Sequence, residues 1–181
     1  MSARHIILDR DGVINEDSDD FIKSPEEWIP IPGSLEAIAR LNQAGYQVAV
    51  ASNQSGIARG LFDTRTLNAI HQKLHRELAR LGAQVDLVAW CPHGPDDGCE
   101  CRKPAPGLYR RIARRWNAPL EGMPVIGDSL RDLQAAWAVE AKPILVRTGK
   151  GRRTEASLED PRVPVFDDLA AAVKWLLSQE D

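Results

Sequence analysis

Along the chain, compact apolar runs alternate with longer stretches in which apolar residues return every three or four positions. The compact runs fall at residues 5–8, 47–51, 85–90, 124–126 and 143–146, with a candidate edge strand at 165–166. Runs this short and this apolar fit strands covered on both faces. The periodic stretches fall at 34–44, 64–81, 107–116, 129–139 and 167 to about 178, and they fit amphipathic helices. The punctuation agrees: Gly45 and Gly82 close two helical stretches, and Asp63 or Thr64, and later Asp167, stand at N-cap positions. Alternation of this kind predicts an α/β fold, a Rossmann-like three-layer parallel sheet with helices on both faces. Functional groups in such folds gather at the carboxyl ends of the strands, near the point where strand order reverses. Residues 92–106 and 149–164 read as irregular loops, neither of them a domain linker, so a single domain over 1–181 is expected.

Composition adds mostly exclusions. The chain has 181 residues, 43% apolar and 27% charged, with a net charge of −3. That suits a globular core and gives no reason to expect a nucleic-acid partner. No apolar run approaches the roughly 20 residues that span a bilayer. The three residues Ile6–Leu8 ahead of Asp9 are too few for a signal sequence. A cytoplasmic monomer without membrane contact is the expectation. Three cysteines within eleven residues make a poor disulfide framework and a better metal cluster.

Chemistry-bearing residues stand where the strands end. The first run leads into Asp9-Arg10-Asp11-Gly12 and the second into Ser52-Asn53-Gln54-Ser55-Gly56. Arg102-Lys103-Pro104 follows the third run and a Cys/His loop, and the fourth leads into Gly127-Asp128-Ser129, with Asp132 one helical turn on. Residues i and i+2 of an extended strand share a side, so Asp9 and Asp11 point the same way and repel. A Mg²⁺ ion answers that repulsion, taking carboxylate oxygens from Asp9 and Asp128 and the backbone carbonyl of Asp11. Carboxylate pair, hydroxyl with amides, cation and second carboxylate pair together suit phosphoryl transfer.

In this order and spacing, "DRDGV", "SNQ", "RKP" and "GDSLRD" resemble the haloacid dehalogenase (HAD) superfamily of phosphatases across most of the chain. The resemblance implies a HAD-like fold with Asp9 as nucleophile, forming an aspartyl-phosphate. It implies Asp11 as the acid that protonates the leaving alcohol and then the base that activates water. Ser52, Asn53, Gln54 and Ser55 would hold phosphoryl oxygens, Lys103 would neutralise transition-state charge, and Asp132 would support the Mg²⁺ site from behind its ligands. Gly12 permits the sharp turn that brings Asp11 back over the site.

"CPHGPDDGCECRKP" supplies Cys91, His93, Cys99 and Cys101. Three thiolates and an imidazole are a closed tetrahedral zinc set, hence structural, ordering residues 91–101 and fixing Lys103 just beyond. The alternatives are free surface thiols or a Cys99–Cys101 disulfide. A zinc loop ahead of the lysine motif resembles two HAD groups, the D-glycero-D-manno-heptose 1,7-bisphosphate 7-phosphatases of lipopolysaccharide-core and S-layer sugar synthesis and the histidinol-phosphate phosphatases. "SNQSGIARG" and "VRTGKG" are similar to the heptose group. The short segments between motifs leave no room for a large cap, so loops would select a small phosphorylated sugar. By resemblance, Asp17 to Asp20, with Asp17 and Asp20 as the chosen pair, approach sugar hydroxyls. Such acids suit an imidazolium or ammonium equally. Arg102 is the candidate for a second phosphate, with the basic loop Arg147, Lys150, Arg152 and Arg153 a looser one. A zinc-stabilised binding module without catalysis is the reading from another class. His71 and His75, four apart on a helix, are read as a packed or solvated helix face, and Arg110, Arg111, Arg114 and Arg115 as a solvated one.

Overall fold

The computed structural model describes residues 3–180. Six strands form one wholly parallel sheet in the order β3-β2-β1-β4-β5-β6. The strands are β1 (Arg4–Leu8), β2 (Tyr46–Asn53), β3 (Leu87–Cys91), β4 (Pro124–Gly127), β5 (Lys142–Val146) and β6 (Val165–Phe166). The helices are α1 (Ser34–Gln43), α2 (Thr64–Ala79), α3 (Gly107–Trp116), α4 (Leu130–Trp137), α5 (Gly151–Ser157) and α6 (Leu169–Ser178). The chain builds outward from β1 to β3, then returns to lay β4 on the other side of β1. Strand order therefore reverses between β1 and β4, and the crevice opens beyond their carboxyl ends.

Alternation along β1 sorts its side chains to two cores. Ile6 and Leu8 pack with Val48, Val50 and Ile126 under α1, α2 and α6, while Ile7 packs with Ala49, Ala51 and Val125 under α3 and α4. Each strand is covered twice, which is why the runs carry so few polar residues. Small residues at 49 and 51 let Leu108, Tyr109 and Ile112 of α3 approach the second face.

The expected elements are present, with shifted ends and one addition. α5 lies inside the stretch read as a loop. Its seven residues carry no apolar stripe, so periodicity gives no signal, and tertiary contacts hold it instead. Thr154 Oγ1 donates to Asp128 O at 2.8 Å, and Glu155 receives Arg147 through both carboxylate oxygens. A Cβ on Gly151 would stand 1.7 Å from Val146 O, so only glycine lets the helix start so close to β5. The cap of α6 is Asp168, which accepts the N–H of Ala171 at 2.8 Å, and not Asp167, which pairs with Arg147. Neither insertion point carries a cap. Residues 9–33 hold only a 3-10 turn (Pro25–Glu27) and two isolated bridges, and residues 92–106 hold no regular element. No described helix is long and apolar enough to cross a membrane.

Candidate active site

β1 ends beside β4, and the pairing carries one residue further, Asp9 N–H donating to Ile126 O at 3.0 Å. The chain then turns sharply. Arg10 O accepts the N–H groups of Val13, Ile14 and Asn15, and Gly12 takes φ +87°. Asp9 and Asp11 consequently face one cavity of about 250 Å³ at the crevice, together with Asp128, Asp132 and Lys103. Their surroundings treat the two acids oppositely. Asp9 Oδ1 accepts only the Arg10 N–H at 2.8 Å, with Lys103 Nζ 3.2 Å away. Burial and the Asp132 charge raise its pKa well above the usual carboxylate range, against the pull of Lys103. Asp11 is half-buried, and Arg10, Asn15 and Gln54 outweigh its desolvation and hold its pKa low. Arg10 Nε donates at 2.8 Å, Asn15 Nδ2 at 2.9 Å and Gln54 Nε2 at 3.3 Å.

At the tip of β4, Asp132 is saturated. Its Oδ2 receives the Asp128 and Ser129 N–H groups and the Ser129 hydroxyl, and its Oδ1 receives Lys103 Nζ at 2.6 Å. Lys103 Nζ donates also to Ala51 O at 2.7 Å. Burial works against its charge, yet Asp132 and Asp9 hold its pKa far above the ordinary lysine value. Asp128 is different: burial and Asp132 push its pKa up to about 6, against the Lys150 N–H, 2.8 Å from Oδ2, and the Asp9 carboxyl that meets it. Two turns close on that oxygen. A Cβ on Gly12 would lie 2.1 Å from it, and one on Gly149 2.2 Å.

Asp9, Asp128 and Asp132 each offer an oxygen within 4.8 Å of the others. Lys103 is the cation among three buried carboxylates, and it is spent on Asp132 and Ala51. The N–H donors on these two acids fall on Asp9 Oδ1 and Asp128 Oδ2, and among the described residues Asp9 Oδ2 and Asp128 Oδ1 take none, the two carboxyls meeting each other instead. An electron-rich pair of hard oxygens without an N–H donor fits a divalent cation, whereas both oxygens of Asp132 are already engaged by donors.

The β2 tip is arranged less simply than expected. Ser52 and Gln54 are buried and bonded to each other, Gln54 Nε2 donating to Ser52 Oγ at 2.7 Å, and neither side chain lines the cavity. Asn53 and Ser55 do line it. Asn53 clamps the Lys103 backbone from both sides, donating to its O at 3.1 Å and accepting its N–H at 3.0 Å.

The cavity is lined also by Asp17, Ser18 and Asp19 and by Arg59, Arg102 and Arg131. Asp20 is exposed and lies outside this lining, its backbone O engaged by Lys23, while Asp19 lines the cavity beside Asp17. Asp17 itself is paired with Lys150 at 2.6 Å. Burial and the charges of Arg131 and Arg59 push the Arg102 pKa down, against the pull of Cys91 and Cys99, and all three arginines line the one cavity. Arg152 and Arg153 are exposed and outside the cavity. Arg59 and Arg131 escaped sequence reasoning. They lie inside the two glycine-bearing motifs at the tips of β2 and β4, and that position was the signal available.

The Cys/His loop draws its four candidate ligands together. Cys91 Sγ lies 3.7 Å from Cys99 Sγ and 2.9 Å from Cys101 Sγ, and His93 Nδ1 is 3.4 Å from both Cys91 and Cys101. Zinc with bonds of about 2.3 Å to sulfur sets its ligands roughly 3.5–3.8 Å apart; the Cys91–Cys99 spacing falls in that range, the two to His93 lie just below it, and Cys91–Cys101 is short. No disulfide forms; all three cysteines are free. Burial pushes the Cys91 thiol up to about 12. At Cys99 desolvation is the largest single cause and pushes upward, but the Arg102 N–H and the contacts from Cys91 and Cys101 together outweigh it and pull the thiol down to about 6. A crowded thiol set of this kind fits a thiophilic cation. The loop is tied to the site: Arg102 N donates to Cys99 Sγ at 3.4 Å and Arg102 Nη1 to His93 O at 3.2 Å.

This sheet order, with carboxylates at the tips of β1 and β4 and lysine between them, defines a HAD-like phosphohydrolase. The HAD-hydrolase-like family model matches residues 100–172, and that of polynucleotide kinase 3 phosphatase matches residues 6–129. The chain is 62% identical over 175 residues to a D-glycero-beta-D-manno-heptose-1,7-bisphosphate 7-phosphatase from Bordetella bronchiseptica, covering 96% of this chain and 98% of that protein. The corresponding phosphatase of Pseudomonas aeruginosa is 56% identical over 177 residues, with 98% and 99% covered. A crystal structure of the B. bronchiseptica phosphatase complexed with magnesium and phosphate superposes with a TM-score of 0.94 at 61% identity, over 97% of this chain and 99% of that one. The chain belongs to the family of D-glycero-beta-D-manno-heptose-1,7-bisphosphate 7-phosphatases.

Proposed function

We propose that the protein is a Mg²⁺-dependent phosphatase that removes the 7-phosphate of D-glycero-beta-D-manno-heptose 1,7-bisphosphate through an aspartyl-phosphate, serving heptose synthesis such as that of the lipopolysaccharide core. The reading rests on one observation above the rest: Asp9 and Asp128 present oxygens without N–H donors side by side at the reversal of strand order. Mg²⁺ held by those carboxylates and the Asp11 carbonyl would neutralise phosphoryl charge and favour in-line attack.

Asp9 Oδ attacks phosphorus, and the bond from phosphorus to the C7 oxygen breaks. Asp11 gives its proton to that oxygen and later takes one from the water that cleaves the acyl phosphate. In the empty site Asp11 is held ionised. A phosphoryl dianion arriving beside it raises its hold on a proton and equips it as the acid. Lys103, locked by Asp132 and Ala51, offers fixed positive charge without reorganising. Asn53, Ser55 and local N–H groups hold phosphoryl oxygens. Ser52 and Gln54 act from beneath, Gln54 by steadying Asp11.

Substrate choice follows from the rest of the cavity lining. Arg59, Arg102 and Arg131 form an anion site, which a second phosphate fills and the ammonium group of histidinol phosphate does not. Asp17, the acid that left histidinol phosphate open, is occupied by Lys150. We take the chain to act as one cytoplasmic domain over residues 1–181, a monomer with zinc at 91–101, without nucleic-acid or membrane partners.

Turnover of the heptose bisphosphate and histidinol phosphate, side by side with Mg²⁺, tests this. We expect kcat/KM at least about 10-fold higher for the bisphosphate. Equal or reversed preference overturns the substrate. No release from either, nor from 4-nitrophenyl phosphate, leaves a non-catalytic zinc-stabilised module.

A further inference from the structure

Arg10 is a charge wholly out of solvent, between the two catalytic-site acids, and phosphoryl transfer as derived above gives it no task. Its guanidinium is anchored at two atoms. Nε donates to Asp11 Oδ1 at 2.8 Å, and Nη1 reaches His71 Nε2 at 3.1 Å. Nη2 lies 2.8 Å from the same Asp11 oxygen without the alignment of a hydrogen bond. His71 belongs to the buried face of α2, between Ile70 and Leu74, and is itself buried. Arginine can only donate, so His71 Nε2 must accept, and the ring proton is on Nδ1. Burial and the Arg10 charge hold the His71 pKa down to about 3, so the ring is neutral and able to accept.

We propose that His71 is a positioning residue for the phosphatase reaction: it fixes the plane of Arg10, and Arg10 fixes the Asp11 carboxylate that serves the leaving oxygen. The inference rests on the reading of Asp11 as acid. A guanidinium held by Asp11 alone could pivot about that contact, whereas a second anchor 61 residues away on α2 sets its orientation from the helical layer. Asn15 and Gln54 complete the grip on Asp11, but each makes one contact, and neither carries charge.

The step that needs the acid is departure of the alcohol, and kcat/KM ends there because the phosphoryl-enzyme forms irreversibly once the alcohol leaves. An alkyl leaving group needs the proton and nitrophenolate does not, so a positioning loss has a signature that general destabilisation lacks. His71→Met, which keeps bulk and removes the acceptor, should lower kcat/KM for the heptose bisphosphate about 10-fold or more, and for 4-nitrophenyl phosphate less than about threefold. His71→Gln places an oxygen at similar reach and should restore the heptose value to within about threefold. Equal losses on both esters, or none on either, overturn the proposal. Should His71→Met not fold, His71→Gln against the shorter His71→Asn makes the same comparison, with selective loss expected in the Asn variant alone. Asp11→Asn under the same assay separates the premises. If its loss is the same on both esters, the reading of Asp11 fails; if its loss is selective and that of the His71 variants is not, only the role of His71 fails.

Discussion

At the scale of single residues, Asp9 and Asp11 show one side chain put to two uses by its neighbours. Asp9 is short of donors and crowded by Asp132, while Asp11 is gripped by Arg10, Asn15 and Gln54. The pKa directions of the two acids belong to the protein without cation or substrate; a cation on Asp9 would lower its pKa and a phosphoryl dianion beside Asp11 would raise that of Asp11, the division that nucleophile and acid need. Asp9→Asn should therefore remove the nucleophile and also a destabilising charge. We expect phosphate release to fall by more than about 10³-fold, while the metal-free variant melts no lower than the parent at pH 7.5. A release assay and a thermal melt check both halves, and substantial turnover in a pure sample would displace Asp9 from its role. Residues of this kind were legible because they stand at strand tips in a recognisable order. Arg59, Arg131 and His71 were not, because each is a single residue whose meaning depends on which neighbours the fold delivers. Nothing local marks His71 off from His75, yet the first meets Arg10 inside the protein and the second is exposed.

At the scale of elements, periodicity identified every strand and five of six helices, and missed α5, whose sequence GRRTEAS has no face to bury. What α5 lacks in apolar surface it gains from Thr154 on the Asp128 carbonyl and Glu155 on Arg147, polar contacts to the tips of β4 and β5 that leave no periodic trace. The Cys/His loop is the opposite case, legible from spacing alone. Too polar and glycine-rich to order itself, it hands its geometry to Arg102 and Lys103 through Cys99 and His93. We expect one tightly held zinc per chain by elemental analysis. Its removal by a chelator should speed amide exchange over residues 91–103 while the sheet stays protected. kcat should then fall about 10-fold or more, because Lys103 loses one side of its support. Exchange that rises equally across β1 and β4, or activity that survives full zinc loss, would separate the loop from the site.

At the scale of the whole molecule, the sheet carries a cost in its own chemistry, since pairing β1 with β4 brings Asp9 and Asp128 together in the folded state. The sign of that cost is set by the raised pKa of Asp128, about 6 against 3.8 in the unfolded chain. Between those values the folded protein keeps a proton that the unfolded chain releases, so this group's stabilising contribution is full below 3.8 and is lost as pH rises through about 6. Asp9, raised well above its usual value by burial and Asp132, acts in the same direction. A divalent cation reverses the effect, because it binds the ionised pair and must displace protons to do so at low pH. At pH 7.5, Mg²⁺ at 100 times its dissociation constant should stabilise the protein by about 2.7 kcal/mol, a rise in Tm of roughly 5–11 °C for a chain of this size. The same Mg²⁺ concentration at pH 5 should give less than about a third of that rise, as protons compete for Asp128 and Asp9. Taking the difference with and without Mg²⁺ at each pH cancels groups the ion does not touch, His71 among them. Asp128→Asn should abolish the difference at both pH values. A rise in Tm that is equal at pH 5 and pH 7.5, or one that survives Asp128→Asn, would mean that Mg²⁺ binds elsewhere and that the tips of β1 and β4 are joined by something other than a shared cation.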